Sequence, residues 1–193
     1  MMTYNVHSCV GRDNKTSPLR IAEVIVQYGS DIVALQEIDV GLLRSGQSDQ
    51  ARIIARQLNM YYHFHPGLQM EKGQYGNAIL SRYPMRLQKA ASLPTFPSRP
   101  PLERRGALWV EVKAFGPLIQ VINTHLGLSR QERVLQAETR NLFSKCPSLF
   151  SGLGGFGGGL GGGGSFGGFG GLGGFLGGMG GLGGIGGFGG FGG

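Results

Sequence analysis

Glu37 closes a short apolar run, Asp31-Ile32-Val33-Ala34-Leu35-Gln36-Glu37. Such a run fits a buried strand whose carboxyl end carries functional groups, as strands of α/β sheets do. A carboxylate placed there is a hard oxygen ligand suited to Mg²⁺ or Mn²⁺. The plain alternative is a solvent-facing glutamate in a strand-to-loop turn. Asn5 stands near the end of another β-prone run, Met2 to His7. Its amide can hold a water, a carboxylate or a phosphate oxygen without adding charge, or it can satisfy turn backbone. His125 ends the run Leu118 to His125, and an imidazole can donate to a nonbridging phosphate oxygen near neutral pH. A histidine after a strand is also a common structural residue. Asn77 is placed by its run at the edge of a cleft. Arg82, Arg104 and Arg105 could clamp phosphate through the guanidinium fork, or be surface cations. Tyr75 could stack on a base or sugar, or fill the core.

These groups need elements to carry them. Ser17-Pro18 reads as an N-cap with proline at the first helical position. Ile21, Val24, Ile25 and Tyr28 follow at helical spacing, and Gly29 can end the helix. Residues 48–59 read as a second helix with Ile53, Ile54 and Leu58 inside. Strands are expected over Met2 to His7, Asp31 to Glu37, Tyr61 to His65, Asn77 to Ser81 and Met85 to Ser92, with 67–76 as a loop. On the strand Tyr61 to His65, His63 and His65 share a face. Pro94, Pro97, Pro100 and Pro101 mark a stiff extended loop. Ala107 to Phe115 and Leu118 to His125 form a hairpin across Gly116-Pro117. Ser129 with Glu132 is a capping box opening a helix to about Leu142. Helices alternate with strands early and strands dominate later, which predicts an α/β or α+β layered fold with a mixed sheet.

Composition divides the chain. The 193 residues carry a net charge of +7, and every charged residue lies at or before Lys145. A basic domain suits a polyanionic or phosphate-bearing partner, or is simply a solvated surface. Residues 152–193 hold 28 glycines in 42 positions, separated by Phe, Leu, Ile and Met. Residues 1–150 are therefore expected to form the domain. Residues 151–193 are expected to form a disordered low-complexity tail whose apolar residues could drive self-association. Cys9 and Cys146 lack a C-x-x-C pattern, which argues against a zinc site or a disulfide framework. No signal-peptide pattern and no glycine-free apolar run of membrane length are present, so a cytoplasmic location is expected.

Four segments, in order and at matching spacing, resemble the endonuclease/exonuclease/phosphatase superfamily, which includes DNase I-like nucleases, abasic-site endonucleases and sphingomyelinases. They are Thr3-Tyr4-Asn5-Val6-His7, Leu35-Gln36-Glu37, Tyr75-Gly76-Asn77-Ala78-Ile79-Leu80-Ser81-Arg82 and Asn123-Thr124-His125-Leu126. The resemblance covers residues 2–145. It implies a DNase I-like four-layer α/β/β/α sandwich, incomplete here, with residues 1–150 supplying mainly one sheet and its outer helices. It also implies Mg²⁺- or Mn²⁺-dependent phosphodiester hydrolysis by water. In that scheme Glu37 holds the ion with Asn5, and His125 and Asn77 act on the phosphate; Arg82, Arg105 and Tyr75 are then the candidate substrate-binding residues by their side-chain chemistry.

The family completes its site with a later G-D-x-N and a final S-D-H, and this sequence contains neither. Its last Asp is Asp49 and its last His is His125. Two other functions therefore stand beside the hydrolase: an inactive remnant, or a nucleic-acid-binding, self-associating protein. DNA, RNA, phospholipids and inositol phosphates are all substrates within the superfamily.

Overall fold

The fold is that of a computed structural model in which residues 1–70, 72–96 and 103–139 are described. The glycine-rich tail, three of the four loop prolines and the end of the helix expected to reach Leu142 lie outside them. The described strands are β1 (Met2–Asn5), β2 (Ile32–Val40), β3 (Tyr61–Met70), β4 (Gly73–Ser81), β5 (Met85–Ser92), β6 (Gly106–Lys113) and β7 (Leu118–Thr124). The helices are α1 (Pro18–Tyr28), α2 (Gln50–Leu58) and α3 (Arg130–Ala137). No described helix is long and apolar enough to cross a membrane.

Local chemistry sets the helix limits. Ser17 Oγ accepts from the Arg20 N–H and Asp49 Oδ1 from the Arg52 N–H, each removing an orphan donor of a first turn. Gly29 and Asn59 end α1 and α2 in the left-handed region. Ser129 Oγ likewise accepts from Glu132 N–H at the start of α3. That helix stops at Ala137, short of the expected Leu142. The Thr139 hydroxyl takes the Leu135 carbonyl, offering the backbone an alternative to another helical turn.

β1, β2, β4 and β3 form one sheet in that order, with β1 parallel to β2 and the other pairs antiparallel. Strand alternation gives this sheet two apolar faces. Val33, Leu35 and Leu80 pack with Ile21 and Ile25 of α1 and with Ile54 and Leu58 of α2. Ile32 and Ile79 face the other way, onto Leu108, Val110, Val112 and Val121 of a second sheet ordered β5-β6-β7. Each such side chain contributes about 1.5–3 kcal/mol when fully buried. The expectation of mainly one sheet is thus corrected. Three later strands cover the inner face that a single sheet would leave open.

The expected loop at 67–76 is also corrected. β3 and β4 are one long hairpin paired from Tyr61↔Ser81 up to Met70↔Gly73. The glycines that signal a loop serve close packing instead. A Cβ on Gly76 would lie 2.1 Å from the His65 carbonyl oxygen, and one on Gly67 3.1 Å from the Arg104 carbonyl oxygen.

Candidate active site

Functional side chains gather where β1 and β7 finish, β6 begins and β2 is interrupted, three residues before its end at Val40. The decisive local event is in β2. Leu35 pairs with Ala78 and Ile38 with Gly76, so Gln36 and Glu37 together oppose Asn77 in a β-bulge. Glu37 has φ 62°, a left-handed conformation that costs a side-chain-bearing residue about 1–2 kcal/mol. A regular strand would send Gln36 and Glu37 to opposite faces. Here both reach groups of the β7 segment. Gln36 Nε2 donates to Asn123 Oδ1 at 2.7 Å, and Glu37 Oε1 comes within 3.6 Å of His125 Nδ1.

Asn5 Nδ2 donates to Glu37 Oε1 at 2.9 Å, and Asn5 Oδ1 accepts from the His7 N–H at 3.0 Å. His7 Nδ1 stands 3.2 Å from Glu37 Oε2. Burial alone would raise the Glu37 pKa. The bonds from Asn5 and His7 and the charges of His125 and His7 outweigh it and hold the carboxyl below its ordinary value. His125 is displaced downward by burial first and then by the Arg105 charge, against the pull of Glu37 and Glu103.

Arg105 is buried, its side chain only 7% exposed. Nη2 pairs with Glu103 Oε2 at 3.2 Å and Nη1 lies 3.4 Å from His125 Nδ1, while Nε has no partner among the described residues. Glu37, Tyr75, Asn77, Glu103, Arg104, Arg105 and His125 wall a small cleft, floored by Gly67, Gly76 and Gly106. Asn77 is 3% exposed and spends its Nδ2 on the Gly106 carbonyl oxygen at 3.0 Å. Asn77 thus fixes the start of β6, and with it Arg105, against β4.

Of the site residues expected from sequence, Glu37, Asn5, Asn77, His125, Arg105 and Tyr75 come together. Arg82 does not. It follows the far end of β4 and pairs with Asp31 at 3.3 Å. Tyr75 lines the cleft, and the guanidinium of Arg44 lies over its ring, 5.2 Å from the centroid. His65 packs its ring against Gly106, and burial lowers its pKa despite a backbone hydrogen bond at Ala91. Four contributors were not foreseen: His7, Arg44, Glu103 and Asn123. His7 was visible only as a histidine two residues after Asn5. Asn123 was visible as the first letter of the N-T-H run. Its Nδ2 donates to both Leu35 and Ala78 carbonyl oxygens at 2.8 Å, tying β7 to the first sheet beside the bulge.

Among the described residues no group of three or more His, Cys, Asp or Glu is placed to enclose a metal. Mg²⁺ needs no such cage. It keeps several waters and takes one or two carboxylates plus substrate phosphate oxygens. Glu37 offers a carboxylate held ionised at the cleft wall with a neutral amide beside it, a donor set of the hard type that suits this ion.

Comparison with known proteins bears on the family and the fold. The endonuclease/exonuclease/phosphatase family model matches residues 2–143. Among curated proteins, protein cwh43 of Schizosaccharomyces pombe is 30% identical over 131 residues, 66% of this chain and 13% of that protein. The chain therefore spans only a small part of that relative. Among solved structures, an endonuclease/exonuclease/phosphatase from Beutenbergia cavernae superposes with a TM-score of 0.56 at 23% identity, over 74% of this chain and 42% of that one. D. rerio TDP2 complexed with a single-strand DNA product gives 0.51 at 17% identity, over 76% and 55%. These likenesses show a shared DNase I-like fold, and the family match over most of the chain shows its descent: it belongs to the endonuclease/exonuclease/phosphatase family.

Proposed function

We propose that the chain is a divalent-metal-dependent phosphodiester hydrolase domain whose reacting phosphate sits in the cleft between Glu37 and Arg105. The observation that supports this reading most strongly is the convergence itself. An ionised carboxylate, a buried guanidinium, an imidazole and two amides meet from β1, β2, β4 and the segments flanking β6 and β7.

Glu37, with Asn5 beside it, would hold Mg²⁺ or Mn²⁺, which when bound supplies Lewis-acid stabilisation of phosphate charge. The chain's own groups do the rest. Asn5 and His7 fix the two carboxylate oxygens by hydrogen bonds. Arg105 is held between Glu103 and His125, so its fork meets a phosphate oxygen with little loss of side-chain freedom. His125, once protonated beside an anionic substrate, donates to a nonbridging oxygen. Asn77 holds Arg105 in place through Gly106. Tyr75 forms the wall on which the rest of the substrate lies.

Nucleic acid is the substrate class we favour. The chain carries a net charge of +7, and D. rerio TDP2, of similar fold, is complexed with a single-strand DNA product. The test is Mg²⁺- or Mn²⁺-dependent hydrolysis of bis(p-nitrophenyl) phosphate and of single-stranded DNA, with Glu37→Ala and His125→Ala in parallel. Turnover lost in both variants supports the reading. Folded protein that binds DNA in a salt-dependent way without turnover favours the binding function instead.

A further inference from the structure

A second cleft adjoins the first and remains unexplained by the hydrolase reading. It is an open space of about 190 Å³ lined by His7, Ser8, Thr16, Asp39, Arg44 and Ser45, with Val10 at its apolar side. No residue lines both clefts, but their walls touch. His7 lines the second and touches Glu37 of the first. Arg44 lines the second and lies over Tyr75 of the first.

What this cleft offers a ligand is decided by Asp39. Its side chain is fully buried, and both oxygens are spent inward. Oδ1 accepts from Arg44 Nη2 at 2.7 Å and from Ser8 Oγ at 3.1 Å, and Oδ2 accepts from Arg44 Nε at 2.9 Å. The Arg44 side chain, by contrast, is 54% exposed, and its Nη1 has no partner among the described residues. The His7 side chain is 83% exposed with only Nδ1 engaged. The surface therefore presents a guanidinium, an imidazole and the exposed Thr16, while the compensating carboxylate is hidden and the Ser8 and Ser45 hydroxyls are bonded inward. Asp39 on one side and the Tyr75 ring on the other also hold the guanidinium still, so binding loses little side-chain entropy.

We infer that this cleft is a subsite for a second phosphate group of the substrate, adjacent to the reacting one, with Arg44 as its principal ligand and His7 beside it. The inference rests on the hydrolase reading and deepens it. It makes the preferred substrate a molecule carrying two neighbouring phosphates rather than a lone phosphodiester. A nucleotide chain and a phosphorylated polyol both carry that chemistry.

The experiment is calorimetric binding to the full chain in Ca²⁺ buffer, an ion that takes the same class of oxygen ligands. Two matched pairs of probes are compared: dTpdT with 5′-phosphorylated pdTpdT, and inositol 4-phosphate with inositol 4,5-bisphosphate. The second phosphate should tighten binding about tenfold or more in one pair, the size expected of a charge-assisted bond. Arg44→Gln should reduce that ratio to about one. The pair showing the gain identifies the source as nucleic acid or polyol. Because Arg44→Gln strips a buried carboxylate of its cation, the double variant Asp39→Asn/Arg44→Gln is measured as well and must show the same loss. A ratio near one in the unaltered protein for both pairs, or a ratio that survives both variants, overturns the inference. Failure of the hydrolase reading has a different signature: affinity for dTpdT that ignores Glu37→Ala and Arg105→Ala.

Discussion

Glu37 Oε1 and His125 Nδ1 lie 3.6 Å apart although they come from different sheets. The same nitrogen is 3.4 Å from Arg105 Nη1. An imidazole unprotonated at Nδ1 can accept from Arg105, and a protonated one lies at ion-pair distance from Glu37. The one ring nitrogen thus faces both the cation and the anion of the cleft.

Stability should fall with acid in two stages. His125 and His65 are both held below the ordinary 6.5, by burial first. As pH drops through 6.5 the unfolded chain takes up protons that the folded one refuses, so stability declines until the lowered folded values are passed. Glu37 is held below 4.5, so its contribution is complete above that value and is lost as pH falls through the lowered one. Melting temperature recorded against pH should show both stages, with His125→Gln removing part of the first. A flat profile between neutrality and pH 5 would contradict it.

Glu37→Ala and Glu37→Gly should abolish divalent-metal affinity alike, yet differ in stability. At φ 62° alanine keeps the left-handed strain and glycine does not. Chemical denaturation should find Glu37→Gly the more stable of the two by about 1 kcal/mol. Equal stabilities would mean that the bulge relaxes when the carboxylate goes.

Asn123→Ala should destabilise the domain by about 2–4 kcal/mol, because it takes the side-chain donor from the Leu35 and Ala78 carbonyls in a buried place, while the Gln36 amide keeps Thr3 and the Ala34 carbonyl. The same denaturation measurement checks it. A loss below 1 kcal/mol would mean that water replaces the side chain.

Gly76→Ala should cost about 1–3 kcal/mol or more, since the added carbon meets backbone rather than a movable side chain. Amide exchange should show protection lost first along the upper β3–β4 hairpin. Exchange unaltered there would sink the argument for close packing.

Cys9 gives a reactivity test. Burial first, and the Asp39 charge second, push its thiol up to about 12. At pH 8 the folded protein should leave this thiol unalkylated by iodoacetamide, and urea should expose it. Rapid modification of Cys9 in the native state, located by peptide mapping, would contradict its burial.

The sequence made strand ends legible and left their trajectories hidden. Leu35-Gln36-Glu37 and Asn123-Thr124-His125 are apolar runs that finish in polar groups, and both finish in the cleft. Arg82 failed because it belongs to the same run as Asn77 but lies five residues on, roughly 16 Å at the usual rise of a strand. The bulge at Glu37 has no local signal, since no glycine or asparagine stands at position 37 to announce a positive φ. The hairpin over 61–81 was hidden by its own glycines, which read as turn formers when alone in sequence and as spacers once β6 lies against them. Arg44 and Asp39 stand in an ordinary polar stretch, and only the fold sets their ion pair beside Tyr75.

Gly67, Gly76 and Gly106 have one more consequence. Where a bound group would rest on the floor of the cleft it meets peptide planes, which have no rotamers to adjust. The rim, by contrast, is built of long side chains: Tyr75, Glu103 and Arg104. Redesign of what the cleft admits therefore has little to work with underneath and nearly everything to work with around the edge. A selection for altered preference should return changes at the rim and leave the three glycines alone.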